Sequence, residues 1–147
     1  MEHDVPPAAL KGCAEIRLPH FDDGADGFLA IAEQSGAIPF PVRRVYWISR
    51  LGNPEAVRGR HAHRTLHQAL FCAGGSFRLD LDDGTARSSV VLDRPDQGVY
   101  LGPGLWHTMR HFSADCVILV LASAPYDEAD YLRDYAAFRA FVSEREA

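Results

Sequence analysis

No apolar run in this sequence approaches the eighteen or so residues that a bilayer span requires. Nothing in the first residues has the basic start and apolar stretch of a signal peptide. Cysteine is scarce: Cys13, Cys72 and Cys116 make an odd count with no C-x-x-C pair, which argues against a disulfide framework. Cys72 and Cys116 sit inside apolar strand-like runs, where a free thiol behaves as a small hydrophobe. These absences together predict a reduced, cytoplasmic protein. There is also no G-x-G-x-x-G, no Walker loop, no Ser-His-Asp arrangement, no internal repeat and no low-complexity tract. Basic charge does not dominate either. The chain carries a formal −5, which argues against general nucleic-acid binding.

What is present is unevenly distributed. Residues 40–70 hold six arginines (Arg43, Arg44, Arg50, Arg58, Arg60 and Arg64) against Glu55 alone, a local +5 in a chain whose remainder is −10. Five of the seven histidines fall between His61 and His111. A basic, histidine-rich middle in an acidic protein suits one small anionic ligand bound at one place.

The 147 residues make one domain. Residues 1–12, with Pro6-Pro7 and Ala8-Ala9, read as a flexible arm, and residues 13–147 as the folded unit. Twelve glycines and nine prolines, scattered in ones and twos, suit short strands joined by turns. Strand-like segments are expected near residues 14–18, 28–32, 42–49, 68–73, 76–81, 88–92, 98–101, 106–112 and 116–122. Asp82-Asp83-Gly84 is a hairpin turn rather than a carboxylate dyad. After Pro125 the period changes. Asp127 as a cap, with Leu132, Tyr135, Phe138 and Val142 at helical spacing, predicts one helix over residues 128–143. The fold class is therefore all-β, a barrel or sandwich with one C-terminal α-helix packed outside.

The densest chemistry is Arg58-Gly59-Arg60-His61-Ala62-His63-Arg64-Thr65-Leu66-His67-Gln68. On a strand, residues two apart share a face, so His61 and His63 project side by side. Forty-odd residues later comes the Gly-rich stretch from Gly98 through Tyr100 and Trp106 to His107. H-x-H, a polar residue five positions on, then P-G-x-x-H resembles the two-part pattern of the cupin superfamily, a small β-barrel or jelly roll. That pattern gathers His61, His63, Gln68 and His107 at one cavity mouth. Imidazoles suit zinc, iron, copper or nickel, so a metal site is open from spacing alone. Gln68, standing where metal-binding cupins usually carry a carboxylate, brings no charge to offset a divalent cation. His67, adjacent to Gln68, faces the other way and reads as surface or interface.

The wider set is more specific. Arg-Gly-x-His-Ala-His-Arg…Gln, preceded by Arg43-Arg44-Val45-Tyr46-Trp47-Ile48, resembles the dTDP-4-keto-6-deoxyglucose 3,4-ketoisomerases. Leu81-Asp82-Asp83-Gly84, the segments 98–107 and 112–116, Val120-Leu121-Ala122-Ser123 and Tyr126-Asp127-Glu128-Ala129-Asp130-Tyr131 extend the resemblance over residues 27–142. The resemblance implies an isomerase of deoxysugar biosynthesis that moves a carbonyl from C4 to C3 of a dTDP-linked 6-deoxyhexose through an enediol. It implies His63 as principal base and His61 as its partner, with no metal and no cofactor. Arg58 and Tyr46 would position the pyrophosphate or sugar, Gln68 and His107 would line the site, and Trp106 and Tyr100 would pack against thymine or sugar. It further implies a homodimer with exchanged N-terminal strands. Asp26-Gly27 stands where family members often show Arg-Gly, which leaves the C4 configuration of the product open. Two rival readings remain: a metal-dependent cupin enzyme, and a non-catalytic nucleotide-sugar binding cupin.

Overall fold

The computed structural model describes residues 4–34 and 36–146. Twelve strands and one helix are described: β1 (Cys13–Arg17), β2 (His20–Asp22), β3 (Phe28–Ala30), β4 (Arg44–Ile48), β5 (Arg58–His63), β6 (Gln68–Gly74), β7 (Phe77–Asp82), β8 (Arg87–Leu92), β9 (Gln97–Leu101), β10 (Trp106–Arg110), β11 (Val117–Ala122), β12 (Tyr131–Leu132) and α1 (Tyr135–Glu146). One five-stranded sheet runs β1-β9-β6-β11-β4 and a second runs β12-β5-β10-β7-β8, while β2 and β3 form a separate hairpin. All the pairings are antiparallel, and the core lies between the two large sheets in a jelly-roll arrangement.

Alternation along each strand decides what faces that core. Leu70, Cys72, Leu79, Leu81, Val99, Leu101, Met109, Ile118 and Val120 interdigitate between the sheets. The opposite face of the first sheet is covered by Ile16, Leu18, Ile38, Phe40 and Phe71. The opposite face of the second is covered by α1, whose Phe138 packs on Ala62 and Leu132. The hairpin between β7 and β8 turns at Gly84, whose φ of +94° needs a residue without Cβ. The Asp82 carboxylate accepts from Gly84 N, and that of Asp83 from Thr85 N and Ala86 N, so both carboxylates serve the turn.

The segment expected as an arm is seated on the sheets over its described part. Val5 N donates to Arg87 O, and Pro7 and Leu10 are buried. Residues 1–3 lie outside the described residues.

The C-terminal helix differs from expectation at its start. Asp127 does cap a turn, accepting from Ala129 N, but that turn is a single 3-10 turn, Glu128–Asp130. Tyr131 and Leu132 then pair with His63 and Ala62 as β12, the edge strand of the second sheet beside β5. Asp134 takes over at the head of α1, its carboxylate accepting from Ala137 N. Ladder bonds to β5 override the helical period at Leu132.

Candidate active site

The histidines gather because of register. His107 on β10 stands opposite His61 on β5, and Tyr131 on β12 stands opposite His63. All four therefore share the inner face of the second sheet. Ring centroids lie 5.0 Å apart for His61 and His63, 4.6 Å for His61 and His107, and 4.4 Å for His63 and Tyr131. The first sheet supplies the facing wall. Gln68 and Arg44 occupy one rung on either side of Ala122, and Tyr46 comes two residues after Arg44 on the same face. Gln68 Nε2 donates to Tyr46 Oη at 3.1 Å, and the Arg44 guanidinium lies 5.3 Å from the Tyr46 ring centre.

A β-bulge completes the arrangement. His61 pairs with His107, but Gly59 pairs with Thr108 and Arg58 with Met109, so Arg60 is an extra residue in β5. Arg60 and Gly59 have φ of +56° and +86°. A Cβ on Gly59 would come within 2.9 Å of His107 O. The bulge shifts the phase of β5, so Arg58, three residues before His61, sits on the same face at the exposed start of the strand.

His61 and His107 share one tautomer. His61 Nδ1 lies 3.1 Å from Gly59 O and His107 Nδ1 lies 3.4 Å from Leu105 O. A carbonyl oxygen only accepts, so each Nδ1 carries the proton and each Nε2 keeps a lone pair when neutral. His63 Nδ1 is 3.5 Å from Asp130 Oδ2, short of a formed hydrogen bond. Burial disfavours the charged form of all three. It is the first cause that lowers His63 to about 4, reinforced by His61 and Arg44 and opposed by Asp130. His61 and His107 are lowered by burial as well, and His107 also by its two neighbours. Burial pushes the Tyr46 hydroxyl up. At neutral pH the site thus presents neutral imidazoles and the neutral Tyr46 phenol beside two arginines.

Several buried polar atoms here have no hydrogen-bond partner among the described residues: both His63 ring nitrogens, Gln68 Oε1 and Arg44 Nε. Leaving such groups unpaired in a folded protein is costly, and a ligand carrying donors and acceptors would satisfy them. Arg44, His63, Asp130 and Tyr131 line a cavity of about 60 Å³ at this place. A larger cleft of about 320 Å³ lies on the outer face beside Trp106. Its charges neutralise one another, with Arg78 and Arg110 on Asp80 and Arg87 on Asp82, so we place the chemistry at the histidines.

Of the residues expected at the site, His61, His63, Gln68, His107, Tyr46 and Arg58 are brought to one side of the barrel interior. Trp106 and Tyr100 are not. Trp106 is one residue from His107, so it points outward and packs against Tyr135 and Phe138. Tyr100 lies on the outer face of the first sheet, beside Phe40, where its hydroxyl meets His67 Nδ1 at 2.6 Å. His67 is therefore half-buried behind the sheet, facing away from Gln68.

Three site residues were not anticipated. Arg44 was legible from alternation with Tyr46. Asp130 and Tyr131 were hidden inside the segment assigned to the helix. Among the described residues no three His, Cys, Asp or Glu side chains meet in a metal-holding arrangement, and His61 meets both other rings edge to face.

Residues 11–143 match the family described as "FdtA: WxcM-like, C-terminal". The chain is 46% identical over 118 residues, 80% of its length and 84% of the relative's, to a TDP-4-oxo-6-deoxy-alpha-D-glucose-3,4-oxoisomerase of Aneurinibacillus thermoaerophilus. Among solved structures it is similar to a histidine-to-asparagine mutant of the 3,4-ketoisomerase QdtA of Thermoanaerobacterium thermosaccharolyticum in complex with TDP-4-keto-6-deoxyglucose. That likeness has a TM-score of 0.88 and 36% identity, and covers 92% of this chain and 97% of the other. It is also similar to the TDP-quinovose 3,4-ketoisomerase WlaRB of Campylobacter jejuni, with a TM-score of 0.83 and 38% identity, covering 89% and 99%.

Proposed function

The chain belongs to the sugar-nucleotide 3,4-ketoisomerase family, and we propose that its isomerisation is carried by His63 and His61 acting on a dTDP-linked 4-keto-6-deoxy sugar. It is an isomerase of dTDP-sugar metabolism, in the synthesis of deoxysugars. The observation that supports the assignment of the site is the convergence of unpaired buried groups, His63, Gln68 Oε1 and Arg44 Nε, on facing sheets. Carbonyl migration needs a base at C3, a proton moved between the C3 and C4 oxygens, and a proton delivered to C4. His63 Nε2, bare and aimed at the cavity, takes the C3 proton. The C3–H electron pair forms the C3–C4 double bond as the C4 carbonyl becomes an enediolate oxygen. His61, 5.0 Å away between centroids, relays the proton between oxygens, and the protonated His63, after exchange with solvent, returns a proton to C4 as the C3 carbonyl forms. Burial makes His63 a weak base in the free protein. Diphosphate bound beside Arg44 and Arg58 adds negative charge and moves its pKa upward. The two guanidiniums hold the diphosphate with forked hydrogen bonds, while Tyr46 and Gln68 hold sugar hydroxyls and His107 closes the far wall.

Incubation with dTDP-4-keto-6-deoxyglucose in D₂O, followed by NMR, tests the assignment. The wild-type protein gives a 3-keto product deuterated at C4, and the coupling at C4 reports its configuration. His63→Asn is expected to lose turnover by roughly 10²- to 10⁴-fold with its fold intact. Full turnover in that variant would assign the base elsewhere.

We also propose a cytoplasmic homodimer in which β1 of each chain pairs with β9 of the other. Val45 and Trp47 on the outer face of edge strand β4, and Phe21 and Leu29 on the hairpin, expose large apolar surface that favours a partner. Arg17 stands opposite Gln97 in this pairing. Cysteines placed at both positions should yield a covalent dimer under oxidation; a covalently closed monomer would speak against exchange.

A further inference from the structure

We propose that Asp130 is a positioning residue for His63, holding its imidazole with the proton on Nδ1 so that Nε2 faces the substrate as a bare base. This rests on the reading of His63 as the base, and adds to it a residue that the reaction scheme does not itself require. The carboxylate is unusually well held. Its Oδ1 accepts from Thr65 N at 2.9 Å and from Thr65 Oγ1 at 2.6 Å, and its Oδ2 accepts from Leu66 N at 3.1 Å. Its carbonyl accepts from Arg64 N at 2.9 Å. These bonds tie the 3-10 turn before β12 to the chain leaving β5, directly behind His63. Oδ2 retains a lone pair, and His63 Nδ1 lies 3.5 Å from it.

Nothing else positions that nitrogen. The groups facing His63 among the described residues are His61 from its own strand, His107 from β10, Tyr131 from β12 and Arg44 from β4, and Nδ1 has no hydrogen-bond partner among them. Tyr131 and His61 fix the plane of the ring by contact but leave open which nitrogen bears the proton. A carboxylate is purely an acceptor and decides it. When His63 takes a proton from carbon the imidazolium gains a charged partner at Nδ1, and contacts of this kind shorten as charge develops.

The test uses the full-length protein with ¹⁵N-labelled histidine. In the wild type, His63 should show a protonated Nδ1 and a bare Nε2. In Asp130→Asn, the amide donor facing Nδ1 should reverse that pattern. Turnover should then fall at least about tenfold, with KM for the sugar nucleotide little changed. The acidic limb of kcat/KM should also move to lower pH, because the carboxylate raises the His63 pKa. Asp130→Glu should restore the wild-type tautomer in part. Thr65→Ala removes one bond to the carboxylate without touching His63, and should leave tautomer and acidic limb in place. A wild-type His63 protonated on Nε2 overturns the proposal, even where the asparagine variant does not fold. So does an Asp130→Asn protein with unchanged tautomer and turnover, or a Thr65→Ala protein that reproduces every effect. A reversed tautomer in Asp130→Asn beside full turnover in His63→Asn would instead remove His63 as the base and leave the positioning role standing.

Discussion

His61 and His107 occupy one rung of the β5–β10 ladder with ring centroids 4.6 Å apart, and each turns Nδ1 to the carbonyl two residues before it. Two imidazoles in contact, one buried and one half-buried, resist taking a second proton, and His63 extends the group to three. The consequences appear most directly in pH dependence.

Activity should persist below the pH at which an ordinary imidazole stops acting as a base. His63 is held down to about 4, so its neutral form prevails at pH 5.5, where a side chain with the usual 6.5 is mostly protonated. The acidic limb of kcat/KM, which reports the free enzyme, is expected well below pH 6.5. The limb of kcat should lie higher, because bound diphosphate favours the imidazolium. A kcat/KM limb at or above 6.5 would contradict the burial of His63.

Stability should decline over the same range. His61, His63 and His107 have folded pKa values below the unfolded 6.5. The unfolded chain therefore binds protons first as pH falls, and stability present above 6.5 is lost toward about 4. Each imidazole contributes up to about 1.4 kcal/mol per pH unit. Denaturant midpoints at pH 7.5, 6.0 and 5.0 measure this, and His107→Gln should flatten the decline. Equal midpoints at all three values would show that the rings take protons freely in the folded state.

Trp106 should matter for the helix and not for the ligand. It packs against Tyr135 and Phe138 on the outer face, so Trp106→Ala is expected to cost about 2–4 kcal/mol. KM for the sugar nucleotide should be unchanged in the surviving folded protein. A large rise in KM with stability retained would put Trp106 back at the ligand.

Gly59 should tolerate no side chain. Gly59→Ala meets both a φ of +86° and His107 O at 2.9 Å, and is expected to lose about 1–3 kcal/mol. Turnover should fall with it, because Gly59 O holds His61 Nδ1. Wild-type melting and turnover in this variant would show that the bulge relaxes without consequence.

The alternation that revealed the strands also carried the site, where it was followed consistently. His61 with His63, and Arg44 with Tyr46, are two apart and share faces. Trp106 and His107 are adjacent, so at most one of them could reach the interior; an aromatic character that suits ligand stacking obscured this parity. Tyr100 lies between the inward Val99 and Leu101 and was excluded by the same logic. The segment 127–134 resembles a helix start for a different reason. A two-residue strand has no period of its own, and Asp127 followed by apolar residues at helical spacing has the form of a helix start. What turned Tyr131 toward His63 was pairing with β5, sixty-eight residues earlier in the chain, an interaction that no local pattern announces. The bonds of Asp130 to Thr65 and Leu66 belong to the same long-range closure.

The extra residue in β5 bears on how such sequences should be aligned. Arg60 acts on the strand as an inserted base acts on a reading frame. Everything before it is shifted by one face, and the arginine at position 58 joins the inner face, at its exposed edge, only in the shifted frame. A relative that lacks one residue between its arginine and its H-x-H pair would, on an otherwise identical strand, present that arginine to the outer layer beneath α1. The number of residues separating the anion-binding group from the proton-transfer groups is thus under as much constraint as the residues themselves. A gap placed there for convenience would silently exchange the inside of the barrel for the outside.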